Sequence, residues 1–268
     1  YVLYTRFLKT EGYQTLPRRP LEKRKLRYED VYPVLYLKYR LSRQAERSNI
    51  KHLVIDEMQD YSRLQYLIIR RMFSCKMTIL GDRAQTMADQ QQDVLQFLPG
   101  IFGKDLRRIE MRKSYRNTVE IASYAANLIG VTDLELFERH GMPVLERNVT
   151  DLEAALREAV DTLFPDEKTY ETAAVIVPDE KTAERAYLIL REILAEKDFD
   201  CEKRLSWLNR DSSSFKKGLT VTTFYLAKGL EFDQVFSIFP KDEKREMMMQ
   251  AQYIAATRAL HELRVYHI

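Results

Sequence analysis

From Ile50 onward, short runs rich in β-branched and aromatic residues alternate with segments whose apolar residues recur at helical spacing. The run 50–56 is predicted to be a buried strand that ends in an acidic residue, and 76–80 a second strand that ends at Gly81 and Asp82. Alternation of this kind is typical of βα units stacked around a parallel sheet. The sequence therefore predicts the α/β fold class, with helices flanking parallel strands.

The remaining predicted elements continue this alternation. Ser62 and Gln65 have the spacing of a capping box, which predicts that a helix starts there. Further strands are predicted at 105–111, 173–177, 219–224, 235–239 and 263–266, and further helices near Asn117 and at 151–163, 179–197 and 247–260. A loop with Pro and Gly at 99–104 indicates a boundary that divides the chain into domains 1–104 and 105–268.

Composition narrows the class of protein. Of the 268 residues, 45% are hydrophobic, and no apolar run approaches the roughly 20 residues of a membrane-spanning helix. Cys75 and Cys201 form no CxxC or Cys/His cluster, so neither a disulfide framework nor a zinc site is expected and a cytoplasmic location is the default. The net charge of +3 permits a nucleic-acid partner without indicating one, and the basic run 18–27 is more often a solvated loop. The chain begins with Tyr1 rather than Met, which favours a piece of a longer protein.

The segment 54–60, Val-Ile-Asp-Glu-Met-Gln-Asp, has the form of a Walker B strand. In such a strand the aspartate, here Asp56, holds Mg²⁺ and the adjacent glutamate, here Glu57, orients the attacking water. A strand end places both carboxylates at the edge where α/β sheets bind ligands. Taken alone, the pair also fits two solvated loop acids beside a helix cap, and that simpler interpretation is slightly favoured.

Four further motifs favour the Walker B interpretation over the simpler one. They are Gly-Asp-Arg-Ala-Gln at 81–85, Ser-Tyr-Arg-Asn at 114–117, Ala-Lys-Gly-Leu-Glu-Phe-Asp at 227–233 and Tyr-Ile-Ala-Ala-Thr-Arg-Ala at 253–259. With 54–60, they resemble motifs II to VI of UvrD/Rep-like superfamily 1 helicases, in the family's order. The resemblance covers the chain from about Ile50 to its C-terminus. It implies RecA-like parallel sheets, with motifs II and III in a partial first motor domain, 1–104, and motifs IV to VI in a second, 105–268.

The resemblance also implies roles for individual residues in binding and hydrolysing ATP with Mg²⁺. In the first domain, Asp56 would be the metal ligand, Glu57 the catalytic base and Gln85 the sensor of the γ-phosphate. These roles fit phosphoryl transfer, in which the protein positions the reactants and stabilises the charge that develops on phosphate oxygens.

The second domain would supply the remaining contacts to the nucleotide. Tyr115 would stack on the adenine, and Arg116 and Arg258 would bind the γ-phosphate through their planar guanidinium groups. Gly229 and Glu231 would be cofactor-binding residues, and Glu231 would contact the ribose or its water shell. Each residue, considered alone, is better explained as a surface cation, a half-buried aromatic or a turn residue, and it is the set of motifs together that favours the functional interpretation.

One part of the family's machinery is missing from the sequence. No G-x-x-x-x-G-K-[ST] loop occurs, and Gly103-Lys104-Asp105 lacks both the correct follower and a preceding strand. The cradle for the β- and γ-phosphates is therefore expected from the rest of the parent chain. We expect the 268-residue chain by itself to be inactive as an ATP hydrolase.

Other departures concern the unwinding of DNA. Members that unwind DNA have an aromatic-rich stretch after motif III, whereas 86–90 contains no aromatic residue. Tyr225 replaces the usual histidine of motif V, and Ser114 replaces the usual asparagine of motif IV. Aromatic stacking contributes about 1–3 kcal/mol per base, so a motor without it grips single strands less well.

Segments 56–62 and 225–233 are most similar to the HelD branch of the family. This resemblance implies an ATPase that binds RNA polymerase and helps to free it from nucleic acid. Two alternatives stay open: a conventional 3′ to 5′ DNA helicase or repair translocase, and a catalytically silent scaffold that only binds polymerase. For both the HelD-like ATPase and the conventional helicase, the expected partners include DNA.

Overall fold

The computed structural model describes residues 26, 28–41, 47, 49–86, 93–103, 106–111, 113–131, 135–164, 170–197, 200–212, 217–241 and 246–268. The chain divides into two compact units, unit 1 at Tyr1–Arg108 and unit 2 at Ile109–Ile268. That these units are two motor domains stays a prediction. Residues 87–90 and nearly all of the basic run 18–27 lie outside the described residues.

Unit 1 contains a pair of parallel strands and three helices in its described part. The strands are β1 His52–Ile55 and β2 Lys76–Ile79, and they pair from His52 opposite Lys76 to Ile55 opposite Ile79. The helices are α1 Tyr28–Leu41, α2 Arg63–Met72 and α3 Val94–Phe102, with short 3-10 turns at Met58–Asp60 and Arg83–Gln85.

The predicted capping box is confirmed at the start of α2. The Gln65 main-chain N–H donates to Ser62 Oγ at 3.4 Å, and Ser62 N–H donates to Gln65 Oε1 at 2.7 Å. This exchange satisfies two donors that have no partner within the helix. Behind the cap, Tyr66 is fully buried between α2 and α3, where it packs against Phe97.

Two predictions near the unit boundary are wrong. The predicted loop at Pro99 and Gly100 lies inside α3, because Val94 and Leu98 bury their side chains in the unit 1 core and this burial overrides local turn preference. The predicted strand at 105–111 has no regular structure over 106–111. Ile109 and Met111 in this segment are largely exposed, so they do not pack against a sheet.

Unit 2 is built on a six-stranded sheet. Its strands are β5 Leu145–Asn148, β6 Thr172–Val177, β7 Leu205–Trp207, β8 Gly218–Thr223, β9 Phe232–Phe239 and β10 Ala259–His267. Their order in the sheet is β5-β10-β9-β6-β8-β7, and every adjacent pair is parallel. A separate two-stranded pair consists of β3 Lys113–Ser114 and β4 Glu135–Leu136. The helices are α4 Val119–Leu128, α5 Leu152–Asp161, α6 Glu180–Ala195, α7 Cys201–Arg204 and α8 Glu246–Ala256.

The central strands of unit 2 are buried on both faces. In β6, Val175 packs in a core with residues of α5 and α6, while its neighbour Ile176, which is also fully buried, points to the opposite face. Strands covered on both faces are expected to be continuously apolar, as β6 is. The predicted α/β class with parallel sheets flanked by helices is thereby confirmed.

The structure also changes the limits of some elements. The helix predicted at 247–260 ends at Ala256, because β10 begins at Ala259 and runs beside β9. The edge strands Leu145–Asn148 and Leu205–Trp207 were not predicted, since the first exposes most of its side chains and gives no apolar run. Among the described residues, no helix has both the length and the apolar character needed to cross a membrane.

We predict that Gly218→Ala destabilises unit 2 more than Gly130→Ala. Gly218 has φ +113°, and a Cβ there would lie 2.2 Å from the main-chain oxygen of Arg204. Gly130 has φ +67°, and a Cβ there would meet no atom within 4 Å, so its substitution carries only the backbone cost of a left-handed residue, about 1–3 kcal/mol. Calorimetric unfolding of both variants measures the difference, and equal losses would contradict the steric argument.

Candidate functional site

In unit 1, the candidate carboxylates lie where β1 ends. Asp56 and Glu57 directly follow Ile55, and the Glu57 main-chain N–H donates to Asp56 Oδ1 at 2.8 Å. Glu57 has φ 51° and ψ 50°, a left-handed conformation that costs a residue other than glycine about 1–3 kcal/mol. The backbone therefore turns sharply at the proposed base, and the surrounding contacts must maintain that turn.

Two contacts fix the 3-10 turn that follows Glu57. The Met58 N–H donates to the Leu80 carbonyl beyond β2 at 2.8 Å, and the Tyr66 hydroxyl donates to the Met58 carbonyl at 3.1 Å. Burial raises the pKa of Tyr66 above its usual range, so this hydroxyl stays a donor throughout the neutral range. The turn is thus attached to both β2 and α2.

A continuous series of hydrogen bonds joins motif II to motif III, and we call it the amide chain. Gln59 Nε2 donates to Glu57 Oε2 at 2.6 Å, and Gln59 Oε1 accepts the Asp82 main-chain N–H at 3.1 Å. Asp82 Oδ2 in turn accepts from Gln85 Nε2 at 2.9 Å. Gln59 and Gln85 are only 6% and 7% exposed, so the structure brings Glu57 and Gln85 into one largely buried network.

The chemistry of Asp56 fits a magnesium ion. Its exposed carboxylate is a hard oxygen donor, and Mg²⁺ commonly uses only one or two protein carboxylates, with water and substrate phosphates completing its shell. Among the described residues, no group of three or more His, Cys, Asp or Glu side chains forms a metal cage. Asp56 is therefore suited to a metal that arrives with a nucleotide.

In unit 2, motif IV is joined to motif VI by side-chain hydrogen bonds to main-chain carbonyls. Asn117 Nδ2 donates to the carbonyls of Thr257 and Ala259 at 3.2 and 2.7 Å. Arg139 Nη2 donates to the Arg116 carbonyl at 2.7 Å and also to the Leu260 carbonyl. These bonds hold the loop before α4 against the first residues of β10.

Motif IV also meets motif V. Arg116 Nε lies 2.6 Å from Glu231 Oε1, and the two side chains are 46% and 42% exposed. Glu231 is positioned by the turn before β9, in which Gly229 adopts φ +77°, a conformation that favours glycine. The structure therefore brings together three predicted site residues, Arg116, Gly229 and Glu231, at the amino end of β9.

Arg258 occupies a different environment from Arg116. It is 2% exposed, and its guanidinium donates to the carbonyls of Ile254 and Leu230 at 3.2 and 3.4 Å and to Thr257 Oγ1 at 3.1 Å. Its main-chain oxygen accepts the Phe232 N–H at 2.9 Å. In this conformation Arg258 joins motif VI to motif V instead of presenting its charge to solvent.

Tyr115 lies on the surface beside the short β3–β4 pair. Its ring is 60% exposed and lies 5.5 Å from the ring of Phe137, at an interplanar angle of 36°. Lys113 Nζ lies 5.5 Å from the Tyr115 ring centroid and 5.8 Å from that of Phe137. Together they form an open aromatic surface that a planar base can stack on.

Sequence reasoning missed three residues that the geometry connects to these motifs. Gln59 was assigned no role, although it lies within motif II, between Asp56-Glu57 and Asp60. Arg139 and Phe137 lie outside every motif, and nothing in the sequence indicates their contacts to Arg116 and Tyr115.

Part of the chain is similar to a known protein family. Residues 10–87 match the family model of the UvrD/REP helicase N-terminal domain, a segment that includes Asp56, Glu57 and Gln85. A comparison with curated proteins gave no match.

Among solved structures, the chain is similar to the C-terminal domain of a possible DNA helicase from Lactobacillus plantarum WCFS1, at 23% identity and a TM-score of 0.45, over 58% of this chain and 88% of that one. It is also similar to PRRSV helicase, at 16% identity and a TM-score of 0.44, over 81% of this chain. Arterivirus nonstructural protein 10 (helicase), solved with DNA, aligns at 13% identity and a TM-score of 0.43, over 82% of this chain. The chain spans 35% and 40% of these two viral proteins.

The similarity to the UvrD/REP helicase N-terminal domain covers 78 of the 268 residues. The match contains motifs II and III, and the contacts among motifs IV, V and VI come from unit 2 itself.

We predict that Arg258→Ala destabilises unit 2, whereas Arg116→Ala leaves its stability nearly unchanged. Removing Arg258 deprives buried carbonyls of a charged donor, at a cost of roughly 1.5–3 kcal/mol. Arg116 belongs to an exposed ion pair, which contributes about 0–1 kcal/mol. Thermal unfolding of the two variants tests this difference, and a larger loss for Arg116→Ala would refute it.

Proposed function

We propose that the chain is part of an ATP-dependent helicase-like motor whose parent protein couples Mg²⁺-ATP hydrolysis to the remodelling of a nucleic-acid complex. The observation that carries the proposal is the amide chain, which joins the candidate base Glu57 to the candidate phosphate sensor Gln85. A pair of unrelated surface acids would have no reason to share buried polar partners with the next strand.

Unit 1 supplies the groups that act on water. Glu57 accepts a proton from the attacking water, while the hydrogen bond from Gln59 to Oε2 fixes the plane of its carboxylate. Gln85 contacts the γ-phosphate through its side-chain amide and so senses its presence. Mg²⁺ held by Asp56 would neutralise charge on the phosphates.

Unit 2 supplies groups for the base, the ribose and the phosphates. Tyr115 stacks on the adenine, and Glu231 binds the ribose or its water shell. Arg116 is solvent-accessible, so a phosphate group can replace Glu231 as its partner. Arg258 must exchange its carbonyl partners before it can bind the γ-phosphate, and that step ties its action to a rearrangement of motif V.

The phosphate cradle completes this machinery from elsewhere in the parent chain. The sequence has no G-x-x-x-x-G-K-[ST] loop, so we infer that another segment supplies it. The chain alone is then inactive, and activity is measured on the full-length parent.

We predict that Glu57→Gln in the parent protein preserves ATP binding but lowers kcat severely, since a carboxamide occupies the same volume and cannot accept a proton. General-base contributions are about 10²- to 10⁴-fold, so a loss in that range is expected. Steady-state hydrolysis and calorimetric ATP binding separate the two effects. The matched control is Glu153→Gln, because Glu153 lies on the exposed surface of α5 and pairs only with Arg157 in the described contacts. Turnover of Glu57→Gln close to that of the control would assign the base to another residue.

The finer proposal concerns the partner. We propose that the parent acts on RNA polymerase, as the HelD-like segments 56–62 and 225–233 suggest. The absence of aromatic residues from 86–90 supports this, because a motor that grips a protein complex has less need for base stacking. A conventional 3′ to 5′ DNA helicase is the alternative, and a silent polymerase-binding scaffold is a third.

We predict that the full-length parent retains core RNA polymerase in a pull-down and binds free single-stranded DNA more weakly, with an affinity that falls steeply with salt. An unwinding assay on a tailed duplex, with and without ATP, runs beside it. Efficient unwinding with no polymerase retained would establish the conventional helicase. Polymerase binding with no ATP hydrolysis would establish the silent scaffold.

A further inference from the structure

We infer that Gln59 is a positioning residue that couples the base Glu57 to the γ-phosphate sensor Gln85, an inference that rests on the proposed function. The Gln59 side chain bonds to Glu57 in motif II and to Asp82 in motif III. The two bonds use the two ends of one amide: its NH₂ group donates to Glu57, and its oxygen accepts from the Asp82 main-chain N–H. A side chain that only donated or only accepted would bind one motif and leave the other unattached.

The geometry makes this coupling short and rigid. The bond from Gln59 Nε2 to Glu57 Oε2 is 2.6 Å, a short contact between an amide donor and a carboxylate acceptor. Gln59 itself is anchored by its neighbours, because the Met58 N–H is bonded to the Leu80 carbonyl and the Asp60 N–H to the Glu57 carbonyl. Rotating the amide away would break two bonds in a place where water has little access.

The space for the amide is provided by Gly81. A Cβ at this position would lie 2.5 Å from Gln59 Oε1 and 2.6 Å from the Met58 main-chain nitrogen. Both distances are far below van der Waals contact, so any larger residue at 81 would displace Gln59 or the turn that carries it. The absence of a side chain at 81 therefore allows Gln59 to reach from the turn after β1 to the loop after β2.

The consequence is that Glu57 and Gln85 cannot move independently. Asp82 bonds to Gln59 through its main chain and to Gln85 through its carboxylate, and it also accepts the Ala84 N–H at 2.9 Å. When Gln85 shifts on contact with a γ-phosphate, Asp82 transmits the shift to Gln59 and so to the plane of the Glu57 carboxylate. Gln59 acts through Glu57 and has no direct contact with substrate in this scheme.

The test is a double-mutant cycle in the full-length parent protein. Gln59→Met and Gln85→Met replace each amide by an apolar side chain of similar length, and the double variant combines them. We expect Gln59→Met to lower kcat about 10- to 100-fold, by analogy with the loss when a hydrogen-bond partner of a metal ligand is removed, with ATP affinity unchanged. The double variant should be no slower than the slower single variant, because both changes break the same chain.

Gln65→Met is the matched control, since Gln65 belongs to the capping box of α2 and makes no contact with the amide chain in the described structure. It undergoes the same chemical change in the same unit, so it shows what a local loss of stability does to kcat. If Gln59→Met does not fold, Gln59→Leu takes its place, because it removes both amide bonds without adding a charge beside Glu57.

The outcomes separate this inference from the proposed function. A kcat for Gln59→Met equal to that of Gln65→Met would overturn the inference, as would losses in the two single variants that multiply in the double variant. Either result, with Glu57→Gln inactive, leaves the proposed function intact. Normal turnover by Glu57→Gln would instead remove the proposed base, whatever the Gln59 variants do.

Discussion

The arrangement of unit 2 depends on donors that satisfy main-chain carbonyls at the start of β10. Asn117, Arg139 and Arg258 each donate to at least one carbonyl next to the first residues of β9 or β10. A buried carbonyl without a partner costs about 1–3 kcal/mol, so these side chains determine where the strands can begin. Because each donor comes from a different part of the chain, satisfying these carbonyls also brings motifs IV, V and VI together.

Unit 1 uses the same physical principle with amides in place of guanidinium groups. The sharp turn at Glu57 is unfavourable for the backbone, and it persists because the following turn is bonded to Leu80 and to the Tyr66 hydroxyl. Strain at a strand end is common where a reactive group must point away from the sheet. Here, the strained residue is also the one that accepts from the amide chain.

The sequence alone predicted the strands and helix starts that are determined by burial or by local capping. The strands around 173–177 and 235–239 were predictable because both faces are covered, and the helix start at Ser62 because its partner is three residues away. The prediction of a strand at 105–111 was wrong because an apolar pattern alone does not supply a neighbouring strand to pair with.

The candidate site shows a corresponding limit. Motif spacing identified the residues that follow strand ends, such as Asp56 and Glu57, but it did not identify residues whose role comes from three-dimensional contact. Arg139 acts on the Arg116 carbonyl from a loop with no motif, and Gln59 differs from any other polar loop residue only by what its amide reaches. Such roles depend on long-range packing, which a single sequence does not encode in local pattern.

Arg116 and Arg258 show why residue type does not determine what a site can do. The sequence gives both the same proposed partner, yet one lies half in solvent and the other is enclosed by carbonyls. Arg116 pairs with the exposed carboxylate of Glu231. The Arg258 guanidinium donates to the Leu230 carbonyl, and the Arg258 carbonyl accepts the Phe232 N–H at the start of β9. Both arginines therefore contact the turn that carries Gly229 and Glu231, Arg116 through a solvent-accessible ion pair and Arg258 through main-chain atoms.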